Sequence, residues 1–119
     1  MMAHNFRELK IWKDSMKVVK SVYLLTSQLP NDEKFGLVSQ MNRCSVSIPS
    51  NIAEGSGRTS SKEFLYFLNV GLSSTFELET QLILSNELFD LPISGIVEQI
   101  HELQRMIIGF KKTLEVQAV

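Results

Sequence analysis

The sequence predicts an all-α protein, an antiparallel up-down four-helix bundle, on three observations. Apolar residues recur at spacings of three and four along four segments, the period of an amphipathic helix. Short turns carrying proline or glycine separate these segments, and short connections favour antiparallel neighbours. No stretch alternates between apolar and polar residues for long enough to predict a strand. The 119 residues suit one domain, spanning 1–119, with a single core.

The first helix is predicted from one apolar series that ends before Pro30, a residue that stops helices. Asn31 or Asp32 can then cap the next helix. The predicted buried seam consists of Leu9, Trp12, Met16, Val19 and Tyr23.

The second helix is predicted from near Lys34 to the turn at 55–57, where two glycines are expected to supply positive φ angles. Pro49 lies inside it, although proline costs ~3 kcal/mol in a helix interior. Either the chain breaks there, or helix two is bent near Pro49 and turns polar residues toward neighbours. Cys44 is expected to be a small buried side chain. The predicted seam consists of Leu37, Met41, Cys44, Ile48 and Ile52.

The third helix begins with a capping box in which Ser60 and Glu63 satisfy each other's N–H groups, and it continues to about Leu88. Its predicted seam includes Leu65, Leu68, Leu72 and Leu82. Pro92 separates it from the fourth helix, whose seam consists of Ile96, Ile100, Leu103, Ile107, Phe110 and Leu114.

The start of the third helix is apolar at five consecutive positions, 64–68. Successive side chains of a helix point ~100° apart, so these five surround it, and one core covers only one side. One interpretation leaves Tyr66 and one phenylalanine half exposed. We favour the other, in which a second copy of the chain covers Phe64, Tyr66 and Phe67.

Composition and charge restrict the class of protein. Apolar residues make up 44% of the chain, charged residues 21%, and the net charge is -1, which excludes disorder and a uniformly basic nucleic-acid binder. The N-terminus turns charged before any apolar run, which argues against a secretion signal. The uncharged stretch 64–76 is shorter than the ~20 residues that span a bilayer. We therefore expect a cytoplasmic protein that does not enter the membrane.

Catalytic and metal sites are not predicted. Glu98 and His101 match one Glu-x-x-His motif of di-iron bundles, but His4 is the only other histidine and has no such motif. Residues 54–62 lack the spacing and the preceding strand of a phosphate-binding loop. We predict a protein that is not an enzyme and has no cofactor, with His101 a solvated side chain.

A polar stripe on the second helix is the most informative constellation. Its members make directional hydrogen bonds, which predicts either a network that fixes helix register or a recognition surface for a partner. The remaining alternative is an ordinary solvated face. If Arg43 is buried, it needs a carboxylate, which Glu77 or Glu79 could supply. The stripe consists of Gln40, Arg43, Ser47, Asn51, Glu54 and Arg58.

A lysine strip on the first helix offers the best electrostatic footprint for the phosphates of nucleic acid. The alternative is an ordinary solvated face. The strip consists of Lys10, Lys13, Lys17 and Lys20.

Several segments together resemble one bacterial family, the four-helix-bundle 23S rRNA intervening-sequence proteins. The signature Ser-Ile-Pro-x-Asn-Ile-Ala-Glu-Gly at 47–55 is its most specific part. The resemblance rests on residues 9–13, 29–30, 33, 36–40, 43–55, 58, 64, 67–68 and 77–82.

The resemblance implies properties that the residues alone do not establish. It implies a homopentamer of up-down bundles without catalytic residues. A related branch, the accessory variability determinant proteins of diversity-generating retroelements, is strongly basic and binds a reverse transcriptase and its template RNA. We therefore expect an oligomeric adaptor or scaffold for RNA or for a nucleic-acid-processing protein. The alternative is a purely protein-binding oligomerisation module.

Overall fold

The computed structural model describes residues 4–118; residues 1–3 and 119 of the predicted domain lie outside the described residues. It contains four helices, α1 (Lys10–Thr26), α2 (Leu37–Ser56), α3 (Ser61–Phe89) and α4 (Ser94–Ala118), with short 3-10 turns at Phe6–Glu8 and Asn31–Glu33. Each helix packs against the next and α4 packs against α1, whereas among the described residues the diagonal pairs bring no Cα atoms within 8 Å of each other. This arrangement confirms the four-helix bundle.

The core contains the predicted seams of α2 and α4. Met41, Ile48 and Ile52 of α2 are fully buried and meet Leu68 and Leu82 of α3 in one cluster. On α4, Ile100, Leu103 and Ile107 are also fully buried, while Phe110 packs at the margin of the core. No helix in the described part of the chain is long and apolar enough to cross a membrane.

The predicted seam of α1 is wrong. The residues that α1 buries in the core are Ile11, Val18, Val22 and Leu25, one position away from the predicted series. Tyr23 is exposed, and the remaining predicted residues are only partly buried. The physical reason is that α1 is apolar on two adjacent faces, both with helical spacing. The second face, with Trp12, Met16 and Val19, lines a shallow groove against Val46, Pro49 and Ala53 of α2.

Pro49 does not break the chain. Helix α2 runs without interruption from Leu37 to Ser56 and contains the proline, so the predicted break is wrong, while the bend stays a prediction. Pro49 is buried and lines the groove together with Trp12 and Met16. The missing N–H therefore lies on the side of α2 that packs against α1.

The turn between α2 and α3 agrees with only part of what the sequence predicts. Ser60 caps α3, because its Oγ accepts a hydrogen bond from the Glu63 N–H at 3.1 Å. The predicted positive φ is wrong: Gly57 has φ -85°, and no glycine of the described residues has a positive φ. The chain instead turns through tight backbone bonds, from the Gly57 N–H to the Glu54 carbonyl and from the Arg58 N–H to the Gly55 carbonyl.

Gly55 has a packing role that Gly57 lacks. A Cβ atom on Gly55 would lie 2.8 Å from a ring carbon of Phe64 and 2.8 Å from the Cβ of Phe67. The absence of a side chain therefore lets α2 and α3 approach closely just before the turn.

Substituting Gly55 should separate this packing role from helix propensity. We expect Gly55→Ala to lower the free energy of unfolding, because overpacking costs about 1–3 kcal/mol and exceeds the gain of about 1 kcal/mol in propensity. Gly109→Ala is the matched control: a Cβ there meets nothing within 4 Å, so only the stabilising propensity term remains. Urea unfolding of both variants measures the difference. Equal stabilisation by the two substitutions would contradict close packing at Gly55.

Candidate nucleic-acid interface

The lysine strip is exposed along α1, but acidic neighbours occupy half of it. Lys10 Nζ lies 2.8 Å from Asp14 Oδ2, and Lys17 Nζ lies 3.9 Å from Asp14 Oδ1. The hydrogen bond to Asp14 raises the pKa of Lys10, and the charges of Asp14 and Glu102 add to this effect. The charges of Lys10 and Lys17 are therefore already partly balanced by carboxylates of the chain itself.

The other half of the strip keeps its charge free for a partner. Lys13 and Lys20 are exposed on the outer side of α1 and form no ion pair within residues 4–118. Of the four lysines predicted to contact phosphates, Lys13 and Lys20 are therefore the two without an acidic partner among the described residues.

The polar stripe of α2 divides into an inner and an outer part. In the inner part, Ser47 Oγ lies 2.6 Å from Ser74 Oγ of α3, and Asn51 Nδ2 donates to the Ser47 carbonyl at 2.7 Å. In the outer part, Glu54 pairs with Arg58, whose guanidinium lies 4.7 Å from the centre of the Phe67 ring. The Ser47–Ser74 contact joins α2 to α3, whereas the Asn51 bond stays within α2.

Arg43 is exposed, so the condition for a buried ion pair with Glu77 or Glu79 is not met. Glu77 Oε1 instead accepts a hydrogen bond from Cys44 Sγ at 3.0 Å. Glu79 faces α4, where its Oε2 lies 2.9 Å from His101 Nε2 and its Oε1 accepts from Gln104 at 3.1 Å. Arg43 and Gln40, at the end of the stripe nearest the start of α2, are exposed at the surface.

His101 is exposed as predicted, but it has a partner that the sequence did not indicate. Its hydrogen bond to Glu79 is the largest cause that lowers the pKa of that carboxyl. The described residues contain no group of three histidine, cysteine or acidic side chains that could hold a metal ion. The Glu98 and His101 motif therefore gains no third ligand within residues 4–118.

A cleft between α2 and α3 brings Gln40 and Arg43 of the stripe beside Phe35 and Gln81, two residues that the sequence did not assign to a site. Phe35, in the turn before α2, is 88% exposed at this cleft. Gln81 of α3 is 9% exposed there, and its Oε1 accepts no hydrogen bond from the described residues. The available signal for Phe35 was a lone aromatic residue in the polar turn at 31–36, whereas Gln81 was indicated only as part of the family resemblance at 77–82. The cleft is lined by Phe35, Ser39, Gln40, Arg43, Cys44, Ser47, Glu77 and Gln81.

Cys44 is buried as predicted, and it also takes part in the hydrogen bonding of this cleft. Its Sγ lies 3.0 Å from Glu77 Oε1 and 3.2 Å from the Ser74 carbonyl. Burial, together with the adjacent Glu77 carboxylate, raises the pKa of the thiol to about 12. The thiol is therefore a donor to Glu77 rather than a nucleophile.

The predicted self-association residues occupy different environments. Phe64 is fully buried in the core, with its ring centre 5.5 Å from that of Phe110, so it has no surface for a second chain. Tyr66 is 63% exposed, and Phe67 is half-buried between Tyr66 and Arg58. The candidate contact therefore reduces to Tyr66 and Phe67.

The model of the family described as 23S rRNA-intervening sequence protein matches residues 7–109 of this chain. The chain belongs to this family. No curated protein has a significantly similar sequence. A crystal structure from Bacteroides thetaiotaomicron, of a protein with unknown function from the S23 ribosomal protein family, is 24% identical. The match covers 86% of this chain and 98% of that one, with a TM-score of 0.78, which supports the shared fold.

Proposed function

We propose that this intervening-sequence family protein is a non-enzymatic, self-associating adaptor or scaffold that binds RNA or a nucleic-acid-processing protein in the cytoplasm. The observation that carries the RNA contact is the set of free cations on two adjacent helices. Lys13 and Lys20 of α1 and Arg43 of α2 are exposed and form no ion pair among the described residues. Exposed cations of this kind contact phosphates without base specificity.

The distribution of acidic residues favours one side of the bundle as the place where RNA binds. Glu98 and Glu102 of α4 line a cleft together with Lys10, Asp14 and Lys17. Nucleic acid approaching that junction would meet carboxylates, so the proposed contact lies on the outer side of α1 and α2.

A second candidate function is a protein-binding oligomerisation module without RNA contact. The observation that favours it is the same acidic junction, together with a net charge of -1. The two candidates differ in their response to salt, because phosphate contacts release counterions and weaken as salt rises.

Filter binding of single-stranded RNA over a range of salt concentrations tests the proposal. We expect the slope of log affinity against log salt to fall by about 0.7 for each phosphate contact removed. The Lys13→Gln and Lys20→Gln double variant should lose affinity and slope. The matched control is Lys111→Gln with Lys112→Gln, near the end of α4, which should retain both. Absence of binding at low salt would leave the protein-binding module as the function.

A further inference from the structure

The shallow groove between α1 and α2 combines an apolar floor and an aromatic ring with unpaired cations beside it. We propose that it binds an unpaired segment of RNA, with bases in the groove and phosphates on the cations. This inference rests on the proposed RNA contact and specifies the form of RNA that the protein takes. The groove itself is lined by Trp12, Met16, Val19, Val46, Pro49, Ser50 and Ala53.

The groove continues into a second hollow nearer the end of α2. The groove has a volume of about 310 Å³ and the second hollow about 580 Å³. Ser50 and Ala53 line both, so the two hollows form one trough, which we call the α1–α2 trough. Helix α2 rises ~16 Å between Val46 and Gly57, the lining residues farthest apart on this helix. A trough of this length can hold several bases of a single strand, whereas a duplex keeps its bases inside.

Two aromatic rings lie along the trough. Trp12 lines the groove, Phe6 lines the second hollow, and their ring centres lie 5.2 Å apart in an edge-to-face arrangement. Both side chains are only partly buried by the described residues. Unpaired bases stack on such rings in any sequence, because every base has a π face. Ser50 is the one polar side chain that lines the groove, so we expect little discrimination between bases.

Unpaired cations lie beside the trough. The guanidinium of Arg7 lies 4.5 Å from the centre of the Phe6 ring. Lys13 and Lys20 each directly follow a residue of α1 that lines the groove, and both are exposed. Neither these lysines nor Arg7 forms an ion pair within residues 4–118. The two lysines are seven residues apart, so they lie on one face of α1 about 10 Å apart, where successive phosphates can meet them.

Acidic residues do not oppose a polyanion here. The residues that line the groove are all uncharged, and Glu54, which lines the second hollow, is paired with Arg58. The cleft between α1 and α4 differs, because Asp14, Glu98 and Glu102 line it. An apolar groove can also accept a helix of a protein partner. The unpaired cations beside this one favour a polyanion.

The experiment uses the fluorescence of Trp12, the only tryptophan of the chain. The full chain is titrated with a single-stranded RNA, an abasic strand of the same length, and an RNA duplex. A base that stacks on Trp12 quenches its emission, so the single strand should quench it. We expect the single strand to bind about tenfold more tightly than the abasic strand, an effect typical of one stacked base. The abasic strand and the duplex should bind through phosphates and leave the emission unchanged.

Two variants and one control locate the effect. Ser50→Gln places a longer neutral side chain in the trough at an exposed position, so it should remove the quenching and the tenfold preference. Thr113→Gln is the matched control, since Thr113 is exposed in the hollow between α1 and α4, and it should retain both. Phe6→Leu should weaken binding of the single strand but not of the abasic strand. Thermal melting of each variant checks that the fold is retained.

The possible results separate this inference from the proposed function. Equal affinity for the single strand and the abasic strand would overturn the trough as a base site and leave the phosphate contact in place. Quenching that survives Ser50→Gln would also overturn it. Absence of binding to all three nucleic acids would remove both proposals. If Ser50→Gln lowers the mass in light scattering while RNA binding is unchanged, the groove is a contact between copies and the inference is wrong.

Discussion

Light scattering coupled to size exclusion is expected to give a mass several-fold above the 13.5 kDa of one chain. The physical reason is the outer surface of α3, where Tyr66, Phe76, Leu84 and Leu88 remain exposed in the single bundle. A helix that is apolar on all sides is normally buried on all sides. The family resemblance further predicts five copies. A ring of this kind repeats one heterologous contact and closes only when the rotation per copy divides the circle.

A charged substitution tests where the copies meet. Tyr66→Glu should shift the mass toward that of one chain while helical content is retained, because a desolvated carboxylate without a partner opposes association. Leu24→Glu is the matched control, since Leu24 is comparably exposed on α1, outside the candidate contact. A parent mass of 13.5 kDa would overturn self-association altogether. A dimer would retain the physical argument and contradict the number five.

The helices that the sequence predicts well are those with one apolar face. Helix α4 offers only one series at helical spacing, so Ile100, Leu103 and Ile107 could be assigned to the core without a structure. Helix α1 offers two such series. Periodicity does not indicate which of two adjacent apolar faces meets the core, and Ile11 rather than Trp12 proved to be buried.

Contacts between distant residues account for most of what the sequence did not predict at the candidate site. The stripe on α2 follows from local spacing, and its residues were identified. The partners of that stripe depend on the register between α2 and α3, which brings Glu77 to Cys44 rather than to Arg43. Gly55 shows the same limit, since its role arises from the rings of α3 and not from the turn that follows it.

The thiol of Cys44 is expected to react with iodoacetamide about a thousandfold more slowly in the native protein than in the urea-unfolded chain at pH 8. Only the thiolate attacks the reagent, and each unit of pKa changes its fraction tenfold at pH values below the pKa. Burial is the main cause that raises the pKa of Cys44 from 9.0 to about 12, and the Glu77 carboxylate adds to it. The native reaction rate should therefore continue to rise with pH above about 10, where the unfolded chain approaches its plateau.

Substitution of Glu77 separates the two causes of this shift. Glu77→Gln removes the negative charge but leaves the burial, so it should accelerate labelling of native Cys44 without reaching the unfolded rate. Glu87→Gln, at an exposed carboxyl of the same helix, should leave labelling unchanged. Because the thiol has the higher pKa in the folded state, the unfolded chain loses this proton first. The contribution of Cys44 to stability is thus fully present below pH 9 and is lost as the pH rises toward 12. Native labelling as fast as in urea would show that the contact between Cys44 and Glu77 is open in solution, and the α2–α3 cleft with it.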